Sequence, residues 1–312
     1  MFLKTVLLTF LFVWVSAAQQ ARMKIILDTD IGDDIDDAWA LAFLISHANF
    51  EPLGITIAHG NTPARTPIAC KILYQTGLSQ IPVAVGRKTS NNISFQFYWA
   101  EDFDKVRPIQ QDAARFIVET VKRHPGEVIL LAVGPLQNIA DALRLEPELG
   151  KYVKRVVFMS GCVYGTARGP KPVPEWNVVA STSDSQVVYS AGLPLTIVPL
   201  DSTTLVRLND EEREQMRKYD SPLTRALEAL YRLWIANPTQ RMTLHDQLAT
   251  AEAASPGTFF GKIEKLPLWV DDKGFTRIDA AKGKPVAVCL EPKRDDFMRY
   301  YISQLTTQQL GK

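Results

Sequence analysis

Lys24-Ile25-Ile26-Leu27-Asp28-Thr29-Asp30-Ile31-Gly32-Asp33-Asp34-Ile35-Asp36-Asp37-Ala38-Trp39-Ala40-Leu41-Ala42-Phe43-Leu44-Ile45 is the stretch on which the fold turns. Lys24 to Leu27 reads as a buried strand and Ala38 to Ile45 as a buried helix. Between them, Asp30, Asp33, Asp34, Asp36 and Asp37 fall within eight residues. Like charges this close repel, and those turned inward resist ionising. A solvated acidic turn is the ordinary reading of an aspartate run. The flanks weigh against it here, because acids pinned between a core strand and a core helix sit at the carboxyl edge of a sheet. Open α/β folds place ligands at that edge. A hard cation, which prefers several oxygen ligands, is the usual compensation for such a cluster.

The pattern repeats outward from this stretch. Strand-like runs at Pro52 to Ala58, Ile81 to Gly86, Val128 to Val133, Arg155 to Gly161 and Leu195 to Leu200 alternate with helix-like segments. The helices are expected after Asn61, over Asp112 to Arg123 and over Asn138 to Leu145. Apolar runs without strict alternation mean strands covered on both faces. The class is therefore α/β, an open, doubly wound, mainly parallel sheet of Rossmann-like type. Helical additions follow at Glu211 to Lys218 and Pro222 to Ala236, and residues 266 to 290 read as a small late β hairpin around Asp271-Asp272-Lys273-Gly274.

The chain has 312 residues and a formal net charge of +1. That balance points to neither nucleic acid nor an acidic partner. Met1-Phe2-Leu3-Lys4, the apolar run Val6 to Val15 and Ser16-Ala17-Ala18 have the layout of a signal peptide over residues 1–18. The expectation is an exported protein, periplasmic or secreted, free of the membrane after cleavage, with residues 19–312 forming one domain. Cys70, Cys162 and Cys289 are widely spaced in apolar contexts and read as buried, inert thiols.

Polar residues gather where strands end: the acidic loop, His59-Gly60-Asn61, Val133-Gly134-Pro135 and Met159-Ser160-Gly161; Glu175-Trp176-Asn177 comes next, and His245-Asp246 lies near the start of a helix. Strand ends of a parallel sheet share one rim, so these segments can converge on one cleft. With Asp28-Thr29-Asp30-x-Gly32, Asp36-Asp37-Ala38, Gly60-Asn61, Gly134-Pro135-Leu136-x-Asn138-Ile139-Ala140, Glu175-Trp176-Asn177 and His245-Asp246 in this order, the chain resembles the calcium-dependent, inosine-uridine preferring nucleoside hydrolases from about Lys24 to about Leu290.

The resemblance implies hydrolysis of the N-glycosidic bond of a nucleoside to free base and ribose. It implies Ca2+ held by Asp30, Asp37, Asp246 and the Val133 carbonyl, with Asp36 as the base on a calcium-bound water. Asn61, Met159, Glu175 and Asn177 would bind the ribose, and His245 would act near the leaving base. A small-molecule nucleoside substrate and a homo-oligomer, dimer or tetramer, are implied with it. The chemistry is coherent on its own terms. Breaking a ribosyl C–N bond builds positive charge on the sugar, and carboxylates around the ring stabilise it.

Three departures stand out. The acidic loop is two residues longer than the short form, so alignment through Asp36-Asp37-Ala38 makes Asp36 the base, whereas alignment through Asp30-x-Gly32-x-Asp34 would make it Asp34. Arg168-Gly169-Pro170 stands where many members carry a sugar-contacting asparagine, and Ser181-Thr182-Ser183 replaces Asp-Pro-Glu at an expected helix start. Blander readings apply to several residues. Asp28 and Asn138 suit structural roles, His47 and His124 suit helix ends, and Asp33 suits solvent. Leu223, Leu227, Leu230, Tyr231 and Trp234 form a core stripe, from which Tyr231 or Trp234 could face a base. Asn91 to Trp99 reads as a lid or an ordered surface loop. The competing functions are a hydrolase of another N-riboside, a non-catalytic calcium-dependent nucleoside-binding protein, and a phosphatase suggested by Asp28-Thr29-Asp30. Gly32 stands where that phosphatase pattern wants Thr or Val.

Overall fold

The computed structural model describes residues 22–235, 240–308 and 310. The expected signal peptide lies outside these residues, as does Ala236. The elements run β1 (Met23–Thr29), α1 (Asp36–Ser46), β2 (Phe50–Ile57), α2 (Thr62–Gln75), β3 (Val83–Val85), α3 (Ala113–Arg123), β4 (Val128–Ala132), α4 (Gln137–Leu145), β5 (Val153–Met159), α5 (Trp176–Val179), α6 (Thr182–Ser190), β6 (Leu195–Val198), α7 (Leu200–Thr203), α8 (Asp210–Lys218), α9 (Pro222–Trp234), α10 (His245–Ala254), β7 (Phe260–Val270), β8 (Thr276–Ile278), β9 (Lys284–Pro292) and α11 (Arg294–Thr306). Among the described residues, nine strands form one sheet in the order β3-β2-β1-β4-β5-β6-β9-β7-β8.

Strands β1 to β6 pair in parallel. The order reverses between β1 and β4, so the loops after these two strands diverge to opposite faces and leave a crevice at the rim. The acidic loop follows β1 and Val133-Gly134 follows β4, so both border that crevice. Side chains alternate along each strand and feed two cores. Ile25, Leu27 and Leu131 pack on one face with α1, α2, α9, α10 and α11, whereas Ile26, Leu130 and Val156 pack on the other with α3, α4 and α6. Strands buried on both faces explain the continuous apolar runs of the sequence.

The expected late hairpin is there, and larger than expected. Strand β7 begins at Phe260 and pairs antiparallel with both β8 and β9. Strand β9 then joins β6 in parallel through Thr196–Ala287 and Ile197–Val288, which carries the sheet past the doubly wound part. That long-range pairing has no local signature, and neither does α11, whose Phe297 and Tyr301 close the core over α1. Ser181 precedes α6 as expected, but its hydroxyl binds the Asp184 carboxylate rather than a free backbone amide. His47 and His124 sit at the ends of α1 and α3. All three cysteines are buried and free, and burial pushes the Cys70 and Cys162 thiols up to about 11. Among the described residues, no helix is long and apolar enough to cross a membrane.

Candidate active site

The acidic loop is built inward. Asp36 and Asp37 open α1, where the helix dipole favours negative charge. Both are buried, as are Asp30 and, at the start of α10, Asp246. One oxygen from each of Asp36, Asp37 and Asp246 lies within 4.8 Å of the others. Thr29 donates its hydroxyl to Asp37 Oδ1 and accepts the Ile31 amide at 3.2 Å, which fixes the turn out of β1. Gln247 Nε2 donates to the Asp36 carbonyl at 2.7 Å and ties α10 to α1.

These acids line a cavity of about 230 Å³ together with Asp33, Asp34, Val133, Met159, Glu175, Trp176, Asn177, Leu200 and His245. Every expected site residue except Asn61 is in that lining. Asn61 precedes α2, donates from Nδ2 to the Asn91 carbonyl at 3.2 Å, and lines a separate small cavity with Gly32, Asp33 and Arg65. The trio brought within ligand distance contains Asp36 where the resemblance named Asp30; Asp30 stands beside it in the same cavity.

The electrostatics show a charge problem. Burial, then Asp34, Asp37 and Asp30, hold Asp36 well above the usual carboxylate range. Burial and Asp30 do the same to Asp37, and burial with Asp36 and Asp37 to Asp246. Burial also raises Asp30, against the pull of Arg65. Among the described residues, Arg65 is the one buried cation nearby, but its guanidinium is committed to the Asp30 and Ile31 carbonyls and to Asp33. Among the described residues, no ion pair reaches Asp30, Asp36, Asp37 or Asp246. Three buried carboxylates with only oxygen to offer, converging and uncompensated, fit a hard cation.

The opposite wall is amide-rich. Asn177 Nδ2 donates to the Val133 carbonyl at 2.8 Å and the Met159 carbonyl at 3.1 Å, so its Oδ1 is the polar atom left over. Glu175 precedes α5 and accepts from the amides of Asn177 at 2.8 Å, Gly161 at 3.0 Å and Val178 at 3.3 Å. Burial nevertheless pushes Glu175 up to about 7, those three amides only partly offsetting it. Gly134 is required where β4 meets the acidic loop: a Cβ there would lie 2.6 Å from Asp30 Oδ1 and 2.8 Å from the Asp30 amide nitrogen. His245 Nδ1 lies 2.7 Å from Thr203 Oγ1, which holds the ring and leaves Nε2 as its other polar atom. Burial and Arg207 bring its pKa down to about 4, so the imidazole is neutral near pH 7.

Asp28 is structural. Its Oδ1 accepts from Thr56 and, at 2.7 Å, from Asn138 Nδ2, and burial lifts it to about 7. Asn138 is thereby structural as well. Asp34 is exposed and accepts the Ile35 amide at 2.7 Å. Arg65, Thr203 and Gln247 were missed as site-builders. Thr203 lies in a strand-end cluster legible in the sequence, whereas Arg65 and Gln247 sit mid-helix with no local mark. The 91–99 segment forms a short 3-10 helix at Phe95–Trp99. Ser94 donates to the Gly32 carbonyl, and buried Gln96 Nε2 to the carbonyls of Asp33 and Asp34 at 3.1 and 2.8 Å. It is an ordered buttress of the acidic loop. Phe95, Tyr98, Ile93 and Trp234 border a further cavity that shares Asp33 with the acidic one. Tyr231 is core, packed on Trp39 and beneath Arg213.

The chain is 29% identical over 258 residues to a probable uridine nucleosidase 2 of Arabidopsis thaliana, covering 76% of this chain and 79% of that one. It is 30% identical over 254 residues to a pyrimidine-specific ribonucleoside hydrolase of Shewanella woodyi, covering 75% and 80%. Its fold is that of a plant nucleoside hydrolase, with TM-score 0.80 at 23% identity over 91% of this chain and 99% of the other. A purine-preferring ribonucleoside hydrolase from Gardnerella vaginalis superposes with TM-score 0.78 at 22% identity, over 91% of this chain and 98% of the other. Residues 25–299 match the family described as inosine-uridine preferring nucleoside hydrolase, so the chain belongs to that family and is a ribonucleoside hydrolase, an enzyme that cleaves an N-glycosidic bond.

Proposed function

We propose that this enzyme hydrolyses ribonucleosides with calcium as its resident ion, held by Asp30, Asp37, Asp246 and the Val133 carbonyl. The observation that carries the reading is the buried, unneutralised convergence of carboxylates in one cavity with Glu175, Asn177 and His245. When bound, calcium supplies a fixed positive charge that orients the ribose diol and makes water more acidic. The remaining work belongs to the chain. Asp36 accepts the proton of the attacking water. Water attacks C1′ as the C–N bond breaks, its pair passing to the base nitrogen. Direct attack by water, without a covalent intermediate, inverts the sugar. Asn177 Oδ1 and Glu175 orient the ribose and offset the charge that develops on its ring. His245, its Nδ1 held by Thr203, offers Nε2 toward the departing nitrogen.

The aromatic cavity bordered by Phe95, Tyr98 and Trp234 is proposed as the base site, where apolar faces stack on a base. Uridine is the first substrate to test, because the uridine nucleosidase and pyrimidine-specific relatives carry that activity in their names. Export through residues 1–18 and assembly as a dimer or tetramer belong to the same proposal. N-terminal sequencing of the mature protein and sedimentation check them. The core test pairs two variants in calcium titration and turnover. Asp37→Ala should lose calcium and activity together, whereas Asp36→Asn should keep calcium and lose turnover. Full turnover in Asp36→Asn would move the base to Asp34.

A further inference from the structure

Next to the acidic cavity, and sharing His245 and Leu200 with it, lies a larger one of about 430 Å³. It is lined by Arg168, Lys171 and Arg207, with Thr166, Thr204 and Thr243 between them and no acidic residue. The walls are fixed. Asp201 binds the amides of Val163, Tyr164 and Gly165, Thr204 Oγ1 accepts the Ala167 amide at 2.9 Å, and Thr166 and Gly169 pair across a tight turn. The carboxylate of Asp201, on α7, is thus consumed by the backbone of that loop. Among the described residues, no carboxylate forms an ion pair with any of the three cationic heads, although many other cations of the chain are paired. Arg168 and Lys171 also lie on the segment that leads directly into Glu175 and Asn177.

We propose that this cavity receives a phosphoryl group on the substrate, so that the enzyme accepts nucleoside 5′-monophosphates. The inference rests on the hydrolase reading above. With the ribose diol turned to the aspartates, two groups leave the ribose pocket: the base and the 5′-oxygen. The aromatic cavity at Asp33 suits the base, and the cationic cavity at His245 opens elsewhere along the same lining. Two guanidinium forks and an ammonium, all unpaired, match a dianionic phosphate with three equivalent oxygens better than a singly charged acidic base. The reaction is balanced without a further reactant. Water adds its hydroxyl to C1′, its proton ends on the base nitrogen, and the products are free base and ribose 5-phosphate.

The experiment compares uridine with uridine 5′-monophosphate, and inosine with inosine 5′-monophosphate, on the calcium-loaded enzyme and on the Arg168→Gln/Lys171→Gln double variant. The expected result is kcat/KM for the nucleotide at least equal to that for the nucleoside. The double variant then lowers it about tenfold or more while the nucleoside stays within about twofold. Inorganic phosphate should inhibit the wild type competitively and the double variant far less. Cleavage of uridine with neither turnover nor inhibition by the nucleotide would overturn the proposal, as would equal losses on both substrates. Loss in the variant confined to orotidine or xanthosine would assign the cavity to an acidic base and overturn it too. Should no substrate be cleaved, the hydrolase reading falls separately. Calorimetric preference for the nucleotide over the nucleoside, abolished in the double variant, would then still support the cavity assignment, and no preference would overturn it.

Discussion

Asp36 and Asp37 are adjacent in sequence and buried at the same helix start, yet the mechanism proposed above gives them different tasks. Asp37 Oδ1 is already held by Thr29, which suits a group that must keep one orientation toward an ion. No side chain among the described residues hydrogen-bonds the Asp36 carboxylate, which suits a group that must gain and lose a proton. Loss of a general base costs about 10²–10⁴-fold. Asp36→Asn should therefore show a fall of that size in kcat, with calcium affinity retained in calorimetry. Gly134→Ala forces a Cβ against Asp30. It should cost about 1–3 kcal/mol in denaturant unfolding and weaken calcium binding together with it. Thr203→Val leaves the His245 ring unheld, and should lower kcat more than it raises KM while leaving the calcium midpoint unchanged. The shared cavity was legible where residue type and strand-end position coincide, as at Asp36-Asp37, Glu175 and Asn177. Asn61 lies in the neighbouring small cavity, its amide on the Asn91 carbonyl, because strand-end position alone does not say which way a side chain turns.

Helices α4 and α6 meet through one buried acid. Asp184 accepts from Arg144, Arg87 and Ser181. Burial works against its charge, but Ser181, Arg144 and Arg87 outweigh burial and hold its pKa below the ordinary aspartate value of 3.8. A depressed carboxylate stabilises the fold above its unfolded pKa, and that contribution is lost as pH falls through the folded one. Asp184→Asn should therefore cost about 1–2 kcal/mol near neutral pH, read as a lower Tm, and the gap to wild type should shrink below about pH 4. No change in the gap between neutral and acid would show that the charge plays no part. The sequence revealed the helices through their period. Ser181-Thr182-Ser183 looked like a cap, and it is one by position only, because Asp184 takes the hydroxyl. The late hairpin was legible from its turn residues. Its parallel docking on β6 was not, since the partner strands lie far apart in the chain.

At the scale of the whole molecule, the sheet collects carboxylates that oppose one another at its rim. A ligand that binds only the folded state stabilises it by mass action, by about 2.7 kcal/mol at a hundred times its dissociation constant. Calcium should therefore raise Tm, a chelator should reverse the rise, and Asp37→Ala should abolish it. The doubly wound class was readable from the alternation of apolar runs, and the cleft from where those runs end. The cationic cavity became visible only in three dimensions, because Arg207 is remote in sequence from Arg168 and Lys171. The proposed activity is calcium-dependent hydrolysis at the aspartate rim. Its most direct test is ribose release from uridine, inosine, adenosine, guanosine and cytidine by the mature protein, with and without phosphate, after metal removal and again after calcium return. Release should need no phosphate, stop on chelation and return with calcium. Release that persists in the metal-free enzyme, or that requires phosphate, would contradict it.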